Sequence, residues 1–326
     1  MIFRTEIDLK PSAFKINHSQ NLCLFGSCFT DNIGAMLKAH QFNSINNPFG
    51  VLYNPASIEK QLLAILNHNA PVKSELFQHQ SLYSHFDFHS KFSHSDKEKA
   101  LKFMQNAFYS VNLKSIDVLF ITWGTSRIYQ LKINQSIVAN CHKLPAGNFL
   151  RAQLSVDSVV DAYEKLVEKL LVVNPKLQIV LTVSPVRHLK DGFIENQRSK
   201  ARLIIAAEAL EKTNSAVHYF PAYEMMMDDL RDYRYYADDM MHPNSIATEY
   251  IWEKFSEYFF NQQTRVLNRE LQKLYKARHH KLFFPKTDEA KRFANTHLNQ
   301  CREIMQIHPE IKLDDYVEYF KTRLVE

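Results

Sequence analysis

The feature that most constrains the fold is a repeated order along the chain, in which a short apolar run ends at a small residue and an amphipathic helical pattern follows. The run "NLCLFGS" precedes "FTDNIGAMLKAHQ", and "LQIVLTVSPV" precedes "NQRSKARLIIAAEALEKTN". Short apolar, β-branched runs predict strands, and apolar residues three and four apart predict helices. Alternating strands and helices favour a mostly parallel sheet covered by helices on both faces. We therefore predict an α/β fold with three layers, α/β/α.

The end of the chain departs from this pattern. After about residue 262 there is no strand-like run, and the helical patterns are broken near Pro285 and Pro309. We predict one domain over residues 1–261 and a helical C-terminal appendage over residues 262–326.

The appendage is basic near its start. Residues 265–281 contain six Lys or Arg side chains and one acid, Glu270. They form either a surface for an anionic partner or a solvated helix face. The second interpretation is preferred, because no DNA- or RNA-binding motif accompanies the charge. We do not expect a nucleic-acid partner.

The apolar and cysteine content indicates the cellular compartment. No run of 18 or more apolar residues occurs, so we expect no transmembrane helix and no membrane partner. The N-terminal residues lack the apolar segment of a secretory signal. The 4 cysteines have no CxxC spacing and do not form a disulfide framework in a chain of 326 residues. We predict a cytoplasmic protein with free thiols.

The serine after the first predicted strand is a candidate for chemistry. The chain has only 6 glycines, where average usage would give about 23, so each is expected where no other residue fits. One of them, Gly26, directly precedes Ser27 at a strand-to-helix turn. Such a turn exposes the hydroxyl at the sheet edge and aims an N–H from a helix N-terminus, which suits a nucleophile whose reaction creates an oxyanion. A helix N-cap is the alternative role.

A second candidate lies late in the chain, in "YYADDMMHPN". Asp239 and His242 are three residues apart, so both can face the same way in a turn. The carboxylate can then hold one ring nitrogen and leave the other to take a proton from a serine. A surface Asp–His pair is the alternative, because an isolated DxxH spacing is common.

Taken together, these segments resemble a known family. "GSCF", "NPFGVLYNP", "NCHKLP", "TVSPVRHLKDG" and "DYRYYADDMMHPN" are similar to motifs of the GSCFA-domain family, a branch of the SGNH/GDSL hydrolase superfamily. The resemblance covers roughly residues 1–260. Thr30 stands where the family's name has an alanine. The resemblance implies the SGNH-hydrolase fold and assigns roles by position: Ser27 as nucleophile, His242 as general base and Asp239 as its orienting partner.

The resemblance also implies an oxyanion hole. The N–H of Gly50, in the second motif, would join the N–H of Ser27, and Gly124 would begin the third block. The superfamily pattern there is Gly-x-Asn, whereas this chain has Gly124-Thr125-Ser126. The asparagine donor is therefore missing. Either the hydroxyl of Ser126 or the amide of Asn140 would replace it.

Other polar residues in these motifs are candidates for substrate binding. His142 and His188 would line the pocket or serve as structural histidines. Arg187 would pair with a substrate carboxylate or with a neighbouring acid. Cys28 neighbours Ser27, and we expect it to pack in the core. No cluster has the spacing of metal ligands, so we expect neither a metal nor a cofactor.

The function implied by the resemblance is that of a serine esterase. It would cleave a short O-acyl group from a carbohydrate or related metabolite through an acyl-enzyme on Ser27. The alternative is a non-catalytic binding or scaffold protein on the same fold, which would use the basic helices of residues 262–326 to contact an anionic partner.

Overall fold

The computed structural model describes residues 5–281, 283–284 and 286–325. Its strands are β1 (Asn21–Gly26), β2 (Asn43–Asn46), β3 (Phe77–His79), β4 (Leu82–Ser84), β5 (Val118–Trp123), β6 (Arg127–Leu131), β7 (Ile137–Val138), β8 (Phe149–Gln153), β9 (Gln178–Val183) and β10 (Val217–Tyr219). Its α-helices are α1 (Cys28–Ala39), α2 (Pro55–Leu66), α3 (Lys97–Tyr109), α4 (Val156–Val173), α5 (Phe193–Thr213), α6 (Ala222–Glu224), α7 (Ser245–Phe259), α8 (Gln262–His279), α9 (Asp288–Ile307) and α10 (Asp314–Val325).

The central sheet has five strands in the order β10-β9-β5-β1-β2. The pairs β1–β5, β5–β9 and β9–β10 are parallel, and helices connect the strands. The predicted α/β class with a mostly parallel sheet is therefore confirmed. Every residue of β5 is buried, as expected for a strand covered on both faces.

Register brings three strand ends to the same edge of the sheet. Gly26 of β1 pairs with Thr122 of β5, and the next residue, Trp123, pairs with Val183 of β9. The residues that follow these strands therefore share the carboxyl edge, where ligands bind in parallel α/β sheets.

A small antiparallel sheet, β7-β6-β8, follows the central strand β5. Tyr129 pairs with Val138, and the connecting turn contains Gln135 in the left-handed region, with a φ of 59°. Strands β6 and β7 thus form a hairpin around this turn.

The core around the parallel sheet joins the inward residues of the strands to α2, α3, α4 and α5. At its centre the indole N–H of Trp123 donates to the hydroxyl of Tyr163 at 3.0 Å, and that hydroxyl donates to the carbonyl of Pro55 at 3.0 Å. Both aromatic side chains are buried. Their polar atoms are thus satisfied inside an apolar core, as buried polar groups require.

The chain forms two compact units. Of the described residues, the first unit contains 5–8, 22–34 and 45–252, and the second contains 9–21, 35–44, 253–281, 283–284 and 286–325. The predicted division at residues 261 and 262 stays a prediction from the sequence.

The second unit has its own core, formed largely by α8, α9 and α10, so the predicted helical C-terminal extension is confirmed. Asn261 caps α8 and Thr287 caps α9. The predicted break near Pro285 centres on a residue outside the described ones, but helix does end at His279 and resume at Asp288. A second break between Ile307 and Asp314 contains Pro309. Among the described residues no helix is long and apolar enough to cross a membrane.

Candidate active site

Ser27 lies between the end of β1 and the start of α1, as predicted. Gly26 makes this turn possible. Its φ is +153°, and a Cβ there would lie 2.4 Å from the carbonyl oxygen of Thr122. Any side chain would collide with the neighbouring strand. Only glycine lets β1 lie against β5 and turn at once into the helix.

A buried asparagine that the sequence analysis did not single out holds the turn. The Oδ1 atom of Asn47 accepts the N–H of Gly26 at 2.8 Å, and its Nδ2 donates to Asp31 on α1 at 2.7 Å. One side chain thus connects the end of the strand to the first turns of the helix. Its position as the first residue of the quoted "NPFGVLYNP" motif is the signal that could have identified it.

The hydroxyl of Ser27 is fully buried, so the expectation that it is exposed at the sheet edge is wrong. Its Oγ atom has no hydrogen-bond partner among the described residues. The N–H of Ser27 makes only a long bond, 3.3 Å, to the carbonyl of Thr122. A buried hydroxyl left unpaired costs free energy, and such atoms often mark functional positions.

The structure brings Asp239 and His242 together. Nδ1 of His242 lies 2.6 Å from Oδ2 of Asp239. The other carboxylate oxygen, Oδ1, accepts the N–H groups of Met241 and His242 at 2.8 and 2.9 Å. These backbone bonds, with the bond from the imidazole, lower the pKa of Asp239 to about 2. An ionised carboxylate accepts a hydrogen bond from Nδ1–H, and in that tautomer the lone pair of His242 that can take a proton is on Nε2.

Arg187 connects the loop after β9 to the turn that carries this pair. Its N–H donates to the carbonyl of Met241 at 3.1 Å, and its guanidinium lies 4.0 Å from the ring centroid of Tyr236. A cation over an aromatic face is held by the ring quadrupole. The guanidinium packs on a ring and pairs with no acid among the described residues, so the expected pairing with a neighbouring acid is wrong. Pairing with a substrate carboxylate stays a prediction.

His188, the next residue, lies beside Ser27. A Cβ built on Gly124 would be 2.9 Å from Nε2 of His188 and 3.3 Å from Cβ of Ser27. The missing side chain of Gly124 therefore lets the imidazole and the serine approach the same point. The Nε2 atom of His188 is buried and has no hydrogen-bond partner among the described residues.

The donors expected to form an oxyanion hole are already engaged. The N–H of Gly50 donates to the carbonyl of Asn47, and that of Gly124 to the carbonyl of Tyr53, both at 2.8 Å. The Ser126 hydroxyl donates to Ser199 at 3.1 Å. It also accepts from Gln153 at 3.2 Å. These local bonds form as the strand ends pack. Gly50, Gly124 and Ser126 are therefore not free donors, which corrects the roles expected for them.

Asn140 and His142 make hydrogen bonds to each other and to the segment around Phe86. Oδ1 of Asn140 accepts the N–H of His142 at 2.8 Å, and the N–H of Asn140 donates to the carbonyl of Phe86 at 3.0 Å. Nε2 of His142 lies 2.8 Å from the carbonyl of His85. Their hydrogen bonds thus tie the hairpin to the segment around Phe86, and none of these bonds goes to Ser27. The role of the Asn140 amide as the replacement donor stays a prediction.

A buried lysine that sequence reasoning missed lies behind the site. Nζ of Lys200, on α5, donates to the carbonyls of Gly124 and Ser184 at 2.7 and 2.6 Å. Its side chain is 1% exposed, and burial lowers its pKa to about 7. Through these two hydrogen bonds the lysine links the residues that follow β5 and β9. No local pattern distinguishes it from the exposed lysines of an amphipathic helix.

This burial predicts a pH-dependent stability. The pKa of Lys200 is about 7 in the folded protein and 10.5 as the ordinary value, so the unfolded chain binds more protons between these values. Its contribution to stability is fully present above 10.5 and is lost as pH falls through 7. Relative to Lys200→Met, the free energy of unfolding of the wild type should rise by about 5 kcal/mol between pH 7 and pH 10.5. Urea unfolding at a series of pH values measures this difference, with the exposed Lys212→Met as control. A difference that stays constant with pH would contradict the assigned burial cost.

Fold and site together define an α/β protein with a buried serine at the carboxyl edge of a parallel sheet and an Asp-held histidine in a late loop. The sequence profile of the GSCFA family matches residues 21–255. The chain belongs to the GSCFA family, and the resemblance seen in its motifs is confirmed.

Two solved structures are distantly similar. A carbohydrate esterase family 3 protein from Talaromyces cellulolyticus is 8% identical, with a TM-score of 0.34, over 77% of this chain and 99% of that chain. The acetyl xylan esterase Est2A from the rumen bacterium Butyrivibrio proteoclasticus is 11% identical, with a TM-score of 0.38, over 74% of this chain and 63% of that chain. With TM-scores below 0.5, neither likeness carries an argument about this chain. Comparison with curated protein sequences finds no significant match.

Proposed function

We propose that this protein is a serine esterase that removes a short O-acyl group from a carbohydrate or related metabolite through an acyl-enzyme on Ser27. The observation that carries the proposal is the unpaired, buried Oγ of Ser27 at a strand-to-helix turn. The pair of Asp239 and His242, joined by a 2.6 Å bond, supplies the matching base. Membership of the GSCFA family supports the same assignment of roles.

In the proposed acylation step, Oγ of Ser27 attacks the ester carbonyl carbon while Nε2 of His242 takes the hydroxyl proton. The carbonyl π electrons move to oxygen and form the oxyanion. When this intermediate collapses, the bond to the alkoxy group breaks and the imidazolium returns its proton to the leaving oxygen. Asp239 stays ionised throughout and stabilises the imidazolium.

In the proposed deacylation step, a water molecule takes the place of the alcohol. His242 removes its proton as the water oxygen attacks the acyl carbon, and the proton passes to Oγ of Ser27 when the acid leaves. Ser27 and His242 share no hydrogen bond in this structure. Such bonds often tighten only when substrate is bound.

The surroundings of Ser27 favour a small acyl group. The serine is completely buried, and Gly124 lies directly against its Cβ. An acyl chain attached to Oγ would occupy a crowded space, so acetyl or a similarly short group fits the proposal best.

Reaction with a fluorophosphonate probe tests the proposal directly. We expect the wild type to be labelled at Ser27 and to hydrolyse an activated acetyl ester, and Ser27→Ala to do neither. Esters of increasing acyl length should be cleaved progressively more slowly. A folded wild type that neither reacts with the probe nor cleaves any ester would favour the alternative, a non-catalytic binding protein.

The alternative function, a non-catalytic binding protein, depends on the basic residues of α8. Contacts inside the second unit weaken this alternative. Lys273 pairs with Glu270 at 2.8 Å, and the guanidinium of Arg278 lies 4.6 Å from the ring centroid of Tyr316. Part of the positive charge is thus used within the unit. This supports the interpretation of a solvated and packed helix face.

The neighbouring thiol offers a check on the nucleophile. Sγ of Cys28 lies 3.6 Å from the hydroxyl of Tyr53, and the side chain is half-buried instead of packed in the core as expected. In Cys28→Ser the contact is kept by a hydroxyl, so kcat should change by no more than about threefold. Steady-state hydrolysis of the acetyl ester measures it. If Cys28→Ser is inactive while Ser27→Ala retains activity, the thiol is the nucleophile.

A further inference from the structure

The proposed site has a nucleophile and a base, but among the described residues the hydroxyl of Ser126, expected to donate to the oxyanion, is engaged elsewhere. The family pattern's asparagine is replaced by Ser126, whose hydroxyl donates to Ser199. The backbone N–H groups of Gly50 and Gly124 donate to carbonyls within the protein. The remaining backbone candidates are the N–H of Ser27, with its long 3.3 Å bond, and the first N–H groups of α1, which have no acceptor within the helix.

His188 is the polar side chain that reaches this gap. Its Nε2 atom is buried, has no partner among the described residues, and lies 2.9 Å from the Cβ position of Gly124, which is itself 3.3 Å from Cβ of Ser27. The ring packs edge-on against Tyr53, with centroids 5.4 Å apart. The backbone N–H of His188 donates to Oδ1 of Asn196 at 2.9 Å. The imidazole is therefore held in place, and its free nitrogen and the Cβ of Ser27 both approach the same point beside Gly124.

Burial keeps His188 neutral. Burial is the main cause that lowers its pKa, to about 3, and the nearby Lys200 and His242 lower it further. No carboxylate of the described residues forms an ion pair with it, whereas His242 is held by Asp239. A neutral imidazole donates one N–H without bringing a charge that would pair with the carboxylate product.

We propose that Nε2–H of His188 donates a hydrogen bond to the ester carbonyl oxygen and to the oxyanion that forms from it, so that His188 is a further catalytic residue in the role of the missing asparagine. The role rests on the proposed esterase function. As Oγ of Ser27 bonds to carbon and its proton moves to His242, the carbonyl electron pair moves to oxygen, where the hydrogen bond stabilises it. The proton on Nε2 stays on nitrogen throughout. The bond weakens again when the intermediate collapses.

Two substitutions of similar size test the proposal. His188→Asn keeps a side-chain N–H but cannot act as a base, and His188→Leu has neither property. We expect His188→Leu to lower kcat for a short acetyl ester about 10²- to 10³-fold, the cost of losing one oxyanion donor. His188→Asn should be at least about tenfold faster than His188→Leu, because an amide N–H restores part of the bond. KM should change little in either variant, and circular dichroism should show both folded.

The possible outcomes separate this role from the proposed function. An active, Ser27-dependent wild type with equal kcat in the Asn and Leu variants overturns the donor role of His188 and leaves the esterase function standing. Equal loss in both variants, with the acid limb removed from the pH profile of the residual activity, would make His188 the base and also overturns the donor role. A wild type without Ser27-dependent turnover overturns the esterase function and this role together. A boronic acid that forms a tetrahedral adduct on Ser27 gives a second measurement, since its affinity should fall more in the Leu variant than in the Asn variant.

Discussion

Ser27→Ala and His242→Ala should each lower kcat for a short acyl ester by about 10⁴-fold or more, and the double variant should be little worse than either. The reason is that nucleophile and base act in one proton transfer. Once either is lost, the other has no partner to act on. Asp239→Asn should cost somewhat less, because it disturbs the orientation and tautomer of the imidazole but removes neither reacting group.

The measurement is the initial rate of hydrolysis of an activated acetyl ester by the purified variants, with circular dichroism as the folding control. Ser27, His242 and Asp239 add little to the apolar core, so the variants should unfold near the wild-type temperature. Losses that multiply in the double variant would contradict a shared step. Full activity in Ser27→Ala would end the assignment of this serine as nucleophile.

Gly26→Ala should destabilise the protein by about 3 kcal/mol or more, or prevent soluble expression. The new Cβ would lie 2.4 Å from the carbonyl oxygen of Thr122 and 2.7 Å from Oγ1 of Thr30, at a φ of +153° that L residues rarely adopt. Neither the strand backbone nor the start of α1 can move without breaking the ladder between β1 and β5. Urea unfolding, followed by circular dichroism, gives the change in free energy.

Gly147→Ala is the matched control. A Cβ on Gly147 would meet nothing within 4 Å, so its effect should stay within about 0.5 kcal/mol. Similar midpoints for the two variants would show that the turn before Ser27 has room to adjust. The steric argument for glycine at that position would then be wrong.

Much of the architecture could be predicted from the sequence, because it depends on local periodicity. Strands β1, β5 and β9 are apolar runs that end at or just before Gly or Ser. Helix α4 lies between β5 and β9 with Ser155 as its N-cap, and α5 follows β9 with Asn214 as its C-cap. The contact between Asp239 and His242 spans three residues, so a single turn is enough to form it. These features need little information from distant parts of the chain.

The candidate site was less predictable where it depends on packing. Nothing near Lys200 in the sequence shows that its Nζ reaches the carbonyls of Gly124 and Ser184. The same holds for Asn47, which binds the N–H of Gly26 across a gap of 21 residues. The predicted donor role of Ser126 is wrong because Ser199, 73 residues away, occupies its hydroxyl.

By itself, the sequence determined the α/β class, the strand-to-helix turn at Ser27, the local pairing of Asp239 with His242 and the membership of the GSCFA family. The tertiary structure alone decided that the Ser27 hydroxyl is buried without a partner and that the imidazole of His188 lies beside it. The physical reason is the range of the interactions. Periodicity, glycine conformation and spacing act over a few residues, whereas burial and the choice of hydrogen-bond partner are settled only when strand ends far apart in the chain meet at one edge of the sheet.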